Sequence, residues 1–274
     1  MNRWKERTAE AKDPQFASTV AQGIDVLAAF RPGEPCLRNR DIAERTGIPR
    51  PTVARLASTL IRLGYLRRDP ADKGRYLLGF GLLTLAHPLL ASMQLRQMAR
   101  PLLMQLAREI NGAVSLVIRD GVGMLYVESA RANESLQAHP DIGSPLPMLT
   151  TAAGRAWLSG APARERQDVL NSLRVKSSQQ YDSGIKSAQR ALRDFERLGY
   201  CGNNREWGGN SYGFAVPMRQ PVNSHLFVFN CGLPAEAGPY EELAHIVPPK
   251  LAAIVRGLEE MLGLGHEAHR TPRV

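Results

Sequence analysis

Between Arg50 and Leu63 two kinds of chemistry repeat in step. Val53, Leu56, Leu60 and Leu63 fall at i, i+3, i+7 and i+10, the spacing of one apolar helix face. Thr52, Arg55, Thr59 and Arg62 repeat that spacing one residue earlier, so they lie beside the apolar stripe. A face of hydroxyls and guanidinium groups can read the major groove, where an arginine bonds guanine O6 and N7 together. The N-terminal residues of a recognition helix enter the groove first. Arg50, Pro51, Thr52, Arg55 and Thr59 are therefore candidate DNA contacts, and Arg62 a phosphate or surface contact.

Just beyond lie Lys73 and Arg75, on either side of Gly74 in a predicted hairpin. They are placed to reach backbone phosphate or the minor groove. Residues 38 to 75 hold ten basic and four acidic side chains, so they carry +6 of the chain's +9. A charge run alone is more often a solvated face. Confined to one segment that also carries the helix pattern, it is the footprint of a phosphate-binding surface.

Other chemistries find little support. There is no GxSxG, no P-loop and no GxGxxG followed by a distant acid. His87, His139, His225, His245, His266 and His269 accompany no nucleophile motif. His266 and His269 stand at i and i+3, not the i and i+4 of a zincin helix. Cys36, Cys201 and Cys231 are odd in number and widely spaced, with no disulfide framework and no metal-ligand spacing. The expectation is no catalytic residue, no metal and no cofactor. An enzyme with a basic surface is the rival class, and a nonspecific architectural DNA protein the third. The N-terminal residues are charged and no apolar run could span a bilayer, so a cytoplasmic protein with no membrane partner is expected.

These residues need elements to hold them. The first fifteen residues read as a flexible tail. Helices are predicted over Ser18–Phe30, Asn39–Thr46 and Pro51–Leu63, with Gly47 and Gly64 as stops. Strands follow at Tyr65–Asp69 and Arg75–Leu78, joined by Pro70-Ala71-Asp72-Lys73-Gly74. Two helices plus a hairpin make a winged helix-turn-helix over residues 16–78. Gly79–Met93 reads as a linker helix bent at Pro88. Gln94–Ile110 reads as an amphipathic helix with Leu95, Met98, Leu102, Leu106 and Ile110 inward. From Ala113, strands at Ala113–Ile118, Met124–Glu128, Tyr200–Asn203, Gly213–Met218 and His225–Asn230 surround helices near 152–159, 163–173 and 183–198. A last helix, Tyr240–Leu262, closes a second domain over residues 94–264, before a tail at 265–274. The fold class is α+β, a sheet covered by helices.

Over residues 16 to 262 the chain resembles the IclR family of bacterial transcriptional regulators. The resemblance is carried by DIAERTGIPRPTVARLASTLIRLGYLRRDPADKGRYLLG, then GSPLPMLTTAAGRAWLSG, RLGYCGNNREWGGNSYGFAVPM and LFVFNCG, in the family's order and spacing. It implies a winged helix-turn-helix joined by a linker helix to a GAF-like effector-binding domain. It implies a homodimer or tetramer on double-stranded operator DNA, and a small organic acid as effector. The backbone amides of Ala152 and Ala153 would face the ligand carboxylate, as amides at a helix N-terminus can. Asn203, Gly213, Phe229 and Cys231 occupy positions of the family's effector site. Bulky Phe229 and the missing hydroxyls there favour a larger or flatter ligand such as an aromatic acid, and the equal alternative is that Phe229 simply fills core space. The expected function is a ligand-responsive repressor of a catabolic operon, with an activator of the same kind of operon as the alternative.

Overall fold

The computed structural model describes residues 15–132 and 140–264. The expected tails (Gln15 apart), His139, His266 and His269 lie outside the described residues. The chain divides into two compact units, residues 1–92 and 93–274.

In the first unit, α1 (Ser18–Ala28), α2 (Asn39–Thr46) and α3 (Arg50–Arg62) pack around Val26, Ile42, Ile48, Val53, Ala57 and Leu60. Asp41 accepts the backbone N–H of Arg38 at 2.9 Å, which fixes the start of α2. Gly47 ends that helix at φ 76° with its N–H on the Ala43 carbonyl, a conformation that favours glycine. Strands β1 (Leu37–Arg38), β2 (Leu66–Arg68) and β3 (Arg75–Leu78) form an antiparallel sheet in the order β1-β3-β2. Two-residue β1 carries too short a pattern for the sequence to reveal. The unit ends with α4 (Gly81–Ser92), which contains Pro88 and has no buried residue.

The inward stripe of α3 differs from expectation. Val53, Ala57 and Leu60 are buried, Leu56 is half-buried, and Leu63 is 59% exposed. Leu63 sits at the C-cap, where the chain leaves the helix axis at Gly64, so the periodicity has nothing left to bury it against.

The second unit opens with α5 (Gln94–Glu109). Its buried residues are Leu95, Ala99, Leu103, Leu106 and Ala107. Met98, Leu102 and Ile110, expected inward, are only partly buried. The stripe is turned because α5 meets both the sheet and α9 (Tyr240–Met261), and small Ala99 and Ala107 permit the closest approach. Among the described residues, six strands form one antiparallel sheet: β4 (Ala113–Asp120), β5 (Gly123–Arg131), β6 (Pro145–Pro147), β7 (Cys201–Asn204), β8 (Ser211–Pro217) and β9 (Phe227–Pro234). Their order is β6-β5-β4-β9-β8-β7. Short β6 with two prolines lies at an edge, where missing N–H donors cost little. Helices α5 and α9 cover one face. Helix α6 (Ala152–Gly160) covers the other, with α7 (Ala163–Lys176) and α8 (Ser178–Leu198) packed together beyond it.

Candidate functional site

On α3 the structure exposes Arg50, Pro51, Arg55, Thr59 and Arg62, and leaves Thr52 half-buried. Ala54 and Ser58 are exposed between them; Ser58 is a hydroxyl outside the spacing of the amphipathic stripe. The helix holds no acidic residue, so Arg50, Arg55 and Arg62 meet no opposing charge along it. Thr59 uses its hydroxyl on the Arg55 carbonyl at 3.2 Å, which leaves its oxygen lone pairs outward.

Ion pairing sorts the ten basic residues. Arg38 and Arg75 both meet Asp72, at 2.6 and 3.4 Å. Arg40 pairs with Asp41 and Glu44, and Arg45 with Glu34. Arg67 lies over the Phe80 ring and Arg68 over that of Tyr76. Among the described residues this leaves Arg50, Arg55, Arg62 and Lys73 with neither a carboxylate nor a ring partner. Cations already paired release few counterions on meeting a phosphate, whereas unpaired ones release theirs. The four unpaired cations are the arginines of α3 and the tip of the wing. Lys73 is presented by a tightly built turn: Asp72 accepts the Gly74 N–H at 2.9 Å, and Arg68 donates to the Lys73 carbonyl at 2.8 Å. Arg75, expected as an equal partner to Lys73, is engaged by Asp72.

In the second unit a cavity opens between the N-terminus of α6 and the sheet. Thr151 caps α6 by accepting the Gly154 N–H at 3.1 Å, and its own hydroxyl donates to the Pro147 carbonyl at 2.7 Å. Asn203, Gly213 and Gly232 are direct cross-strand partners, so they share a sheet face. That face looks at α6: a Cβ on Gly213 would stand 3.4 Å from Ala152 Cβ, and Asn203 Nδ2 donates to the Thr150 carbonyl. Ala152, Asn203 and Gly213 thus meet at one cavity, with Thr151, Tyr126, Trp207 and Asn230. Ala153 is fully buried one step along α6 and is not on the cavity wall.

Cys231 borders this cavity and Phe229 does not, and the side chains of both point to the opposite face of the sheet. Phe229 pairs with Leu116 and Val216, and Cys231 with Val114 and Phe214. That set points to the opposite face, where Phe214 stacks on Tyr240 of α9 at 5.2 Å. Burial there pushes the Cys231 thiol well above its ordinary range. The physical reason is the two-residue period of a strand: a position one step away faces the other side. The residue that does face the cavity from β9 is Asn230, opposite Ser115 and Ala215. It is the lone polar side chain in the run FVFNC, and a polar residue inside a buried apolar strand is the signal that could have found it.

Arg155 anchors the first turn of α6. It is 3% exposed, donates to the carbonyls of Leu149 and Gly202 at 2.9 and 3.1 Å, and meets both carboxylate oxygens of Glu206. Those bonds hold the Glu206 carboxyl below its ordinary range. Cys201 lies 3.5 Å from Ser159 on α6, and burial pushes its thiol up to about 11, so neither it nor Cys231 is a reactive thiolate. Among the described residues no group of three or more His, Cys, Asp or Glu could hold a metal ion, and no helix is long and apolar enough to cross a membrane.

Comparison with known proteins follows the same division. Residues 19–70 match the IclR helix-turn-helix domain, and residues 87–226 the C-terminal domain of bacterial IclR transcriptional regulators. The HTH-type transcriptional regulator TsaQ1/TsaQ2 of Comamonas testosteroni is 30% identical over 88% of this chain and 87% of its own. The crystal structure of an IclR family transcriptional regulator from Brucella abortus is 38% identical, with a TM-score of 0.78 over 92% of this chain and 95% of that one. An IclR homologue from Microbacterium hydrocarbonoxydans, solved in complex with 4-hydroxybenzoate, shares the fold at 23% identity, with a TM-score of 0.68 over 88% and 99%. With both of the family's domains matched in order, this protein belongs to the IclR family of bacterial transcriptional regulators, which bind DNA and are not enzymes.

Proposed function

We propose that this regulator binds a palindromic operator as a dimer through α3 and the Lys73 wing, and that a small aromatic carboxylate in the α6 cavity changes its grip. The single observation that carries the DNA half is the set of four unpaired cations, all on α3 or at the wing tip. Arg50, Thr52, Arg55, Ser58 and Thr59 are the base or near-base contacts. Arg62 and Lys73 are phosphate contacts.

The effector half rests on the cavity. The Ala152 amide, at the start of α6, has no carbonyl a turn earlier within the helix, and such an amide suits a carboxylate. Asn203 and Asn230 offer amide groups, while Gly213 and Gly232 leave space over the sheet. The 4-hydroxybenzoate complex of the Microbacterium relative makes a hydroxylated benzoate the first ligand to test. We assign residues 16–78 to DNA binding and 94–264 to effector binding.

The dimer rests on α4. Leu83, Leu85 and Leu89 on α4 are 70, 65 and 61% exposed, Phe80 just before it is 74% exposed, and α1 adds Val20 and Ile24 at 62 and 54%. Exposed apolar surface on this scale marks a protein contact. A second copy of the same helices would bury it and bring two recognition helices to two half-sites. Ligand binding then shifts the population of dimer arrangements that fit the operator. Bound across a promoter, such a dimer excludes other proteins from the same DNA, so repression of a catabolic operon in the cytoplasm is the proposed sign. The test is footprinting with the wild type and Arg55→Ala. An intact footprint with unchanged sequence preference would show that α3 is not the reader.

A further inference from the structure

The effector cavity as it stands is narrow. Its open volume is about 30 Å³. Sites that hold small organic ligands run to roughly 300–1,000 Å³. If this cavity takes the effector, one of its walls has to give way.

Three walls are fixed. Helix α6 is buried without a break from Ala152 to Leu158, and Gly154 sits against the Met148 backbone with no room for a Cβ. The sheet wall of Asn203, Gly213 and Asn230 is locked in the β7–β8–β9 ladder. Tyr126 and Leu146 are buried in paired strands, β5 and β6. The remaining wall is Trp207, half-buried, on the turn that joins β7 to β8. That turn runs through Arg205, Gly208 and Gly209 at φ 62°, 82° and 70°, and the Arg205 N–H closes its base on the Ser211 carbonyl at 3.2 Å. Its far limb is tied outward, by Asn210 to Glu236 at 2.7 Å and to the Ala235 N–H at 3.0 Å. Its near limb is tied inward by Glu206, which takes both oxygens to buried Arg155 and has Ser187 of α8 beside it.

We propose that the turn 205–210 is the lid of the effector cavity, that the Glu206–Arg155 pair is its latch, and that Trp207 is the side chain the ligand displaces. Arg155 belongs to the same helical turn that would receive the ligand carboxylate. Binding and latching therefore bear on one element, and Glu206 is a positioning residue for the site. This inference rests on the reading that the cavity takes a carboxylate effector, but the lid can be tested without a ligand.

The experiment is amide hydrogen exchange on the full chain, comparing the wild type with Glu206→Gln and with the milder Ser187→Ala. Removing a charge-assisted latch should raise exchange over residues 205–210 by about tenfold or more, with a smaller rise for Ser187→Ala, while α6 and the β8–β9 ladder keep their protection. Unchanged exchange in the turn of Glu206→Gln would overturn the lid. So would a rise spread evenly through the domain in both variants, since Glu206 would then be only a structural prop. A second arm follows 4-hydroxybenzoate binding by Trp207 fluorescence, in a chain whose Trp4 and Trp157 are replaced by phenylalanine. Faster association in Glu206→Gln supports the latch, and equal association rates contradict it. No binding in either protein, with the exchange result intact, keeps the lid and removes 4-hydroxybenzoate from the effector reading.

Discussion

Gly154 packs its α-carbon directly on the backbone of Met148: a Cβ at this position would stand 2.1 Å from the Met148 carbonyl oxygen. No side chain fits there, and the atoms in the way are backbone, so relief requires α6 to move. That contact sets how the helix N-terminus lies over the sheet, and it gives a steric reason for glycine in the run Thr-Ala-Ala-Gly-Arg.

Gly154→Ala should therefore destabilise the effector unit by at least the roughly 1–3 kcal/mol usual for overpacking. Gly23, within α1, has no atom within 4 Å of its would-be Cβ and an ordinary helical backbone, so Gly23→Ala should stabilise by about 0.5–1 kcal/mol. Urea unfolding of the two variants, followed in parallel, checks both signs.

Arg55 and Lys73 should fail differently. Arg55→Ala is expected to cost about 1–3 kcal/mol on the cognate operator and to relax sequence preference at one position of each half-site. Lys73→Ala should weaken all duplexes nearly equally and reduce the salt slope of binding by about one. Arg75→Ala should do less than Lys73→Ala, because Asp72 already engages Arg75. Fluorescence anisotropy over a salt series separates the three.

Leu85 and Leu89 lie one helical turn apart on α4 and are both largely exposed. If a second copy covers them, the double substitution Leu85→Lys, Leu89→Lys should shift the protein from dimer to monomer at micromolar concentration without unfolding either unit. Sedimentation velocity reads the mass, and circular dichroism the fold. Operator affinity should fall with the dimer, since both half-sites must be met at once.

The Glu206 carboxyl, held down chiefly by the bonds from Arg155, gives a pH signature. A group whose native pKa lies below its unfolded value adds stability above the unfolded value, here 4.5. That contribution disappears as pH falls through the native value. The gap in melting temperature between the wild type and Glu206→Gln should be open at pH 7 and narrow below about pH 4.5.

Much of this was legible in the residues. The recognition helix could be placed because Arg, Thr and apolar residues repeat at helical spacing between Pro49 and Gly64, which bound it. The wing strands could be placed because Asp72 and Gly74 mark the turn. Leu63 and Met98 depart from their predicted stripes because a periodicity says which residues share a face, not where the covering element stops or whether a second one approaches from the side. Phe229 turns away from the cavity while Asn230 beside it faces in, because neighbours along a strand look alike in sequence while facing opposite ways. The Glu206–Arg155 pair spans 51 residues and has no local signature at all. Nor does the pairing of Asp72 with Arg38, which meet across the winged sheet.

The measurement closest to the central claim is operator anisotropy with the full-length protein, titrated with benzoate, 4-hydroxybenzoate and 3,4-dihydroxybenzoate. A duplex from the regulator's own promoter region serves as operator. At least one of these acids should change operator affinity by about five-fold or more, the lower end of ordinary allosteric coupling, and Asn203→Leu should abolish the change while leaving ligand-free DNA binding intact. Operator affinity indifferent to all three acids, or a response that survives Asn203→Leu unchanged, would contradict the account.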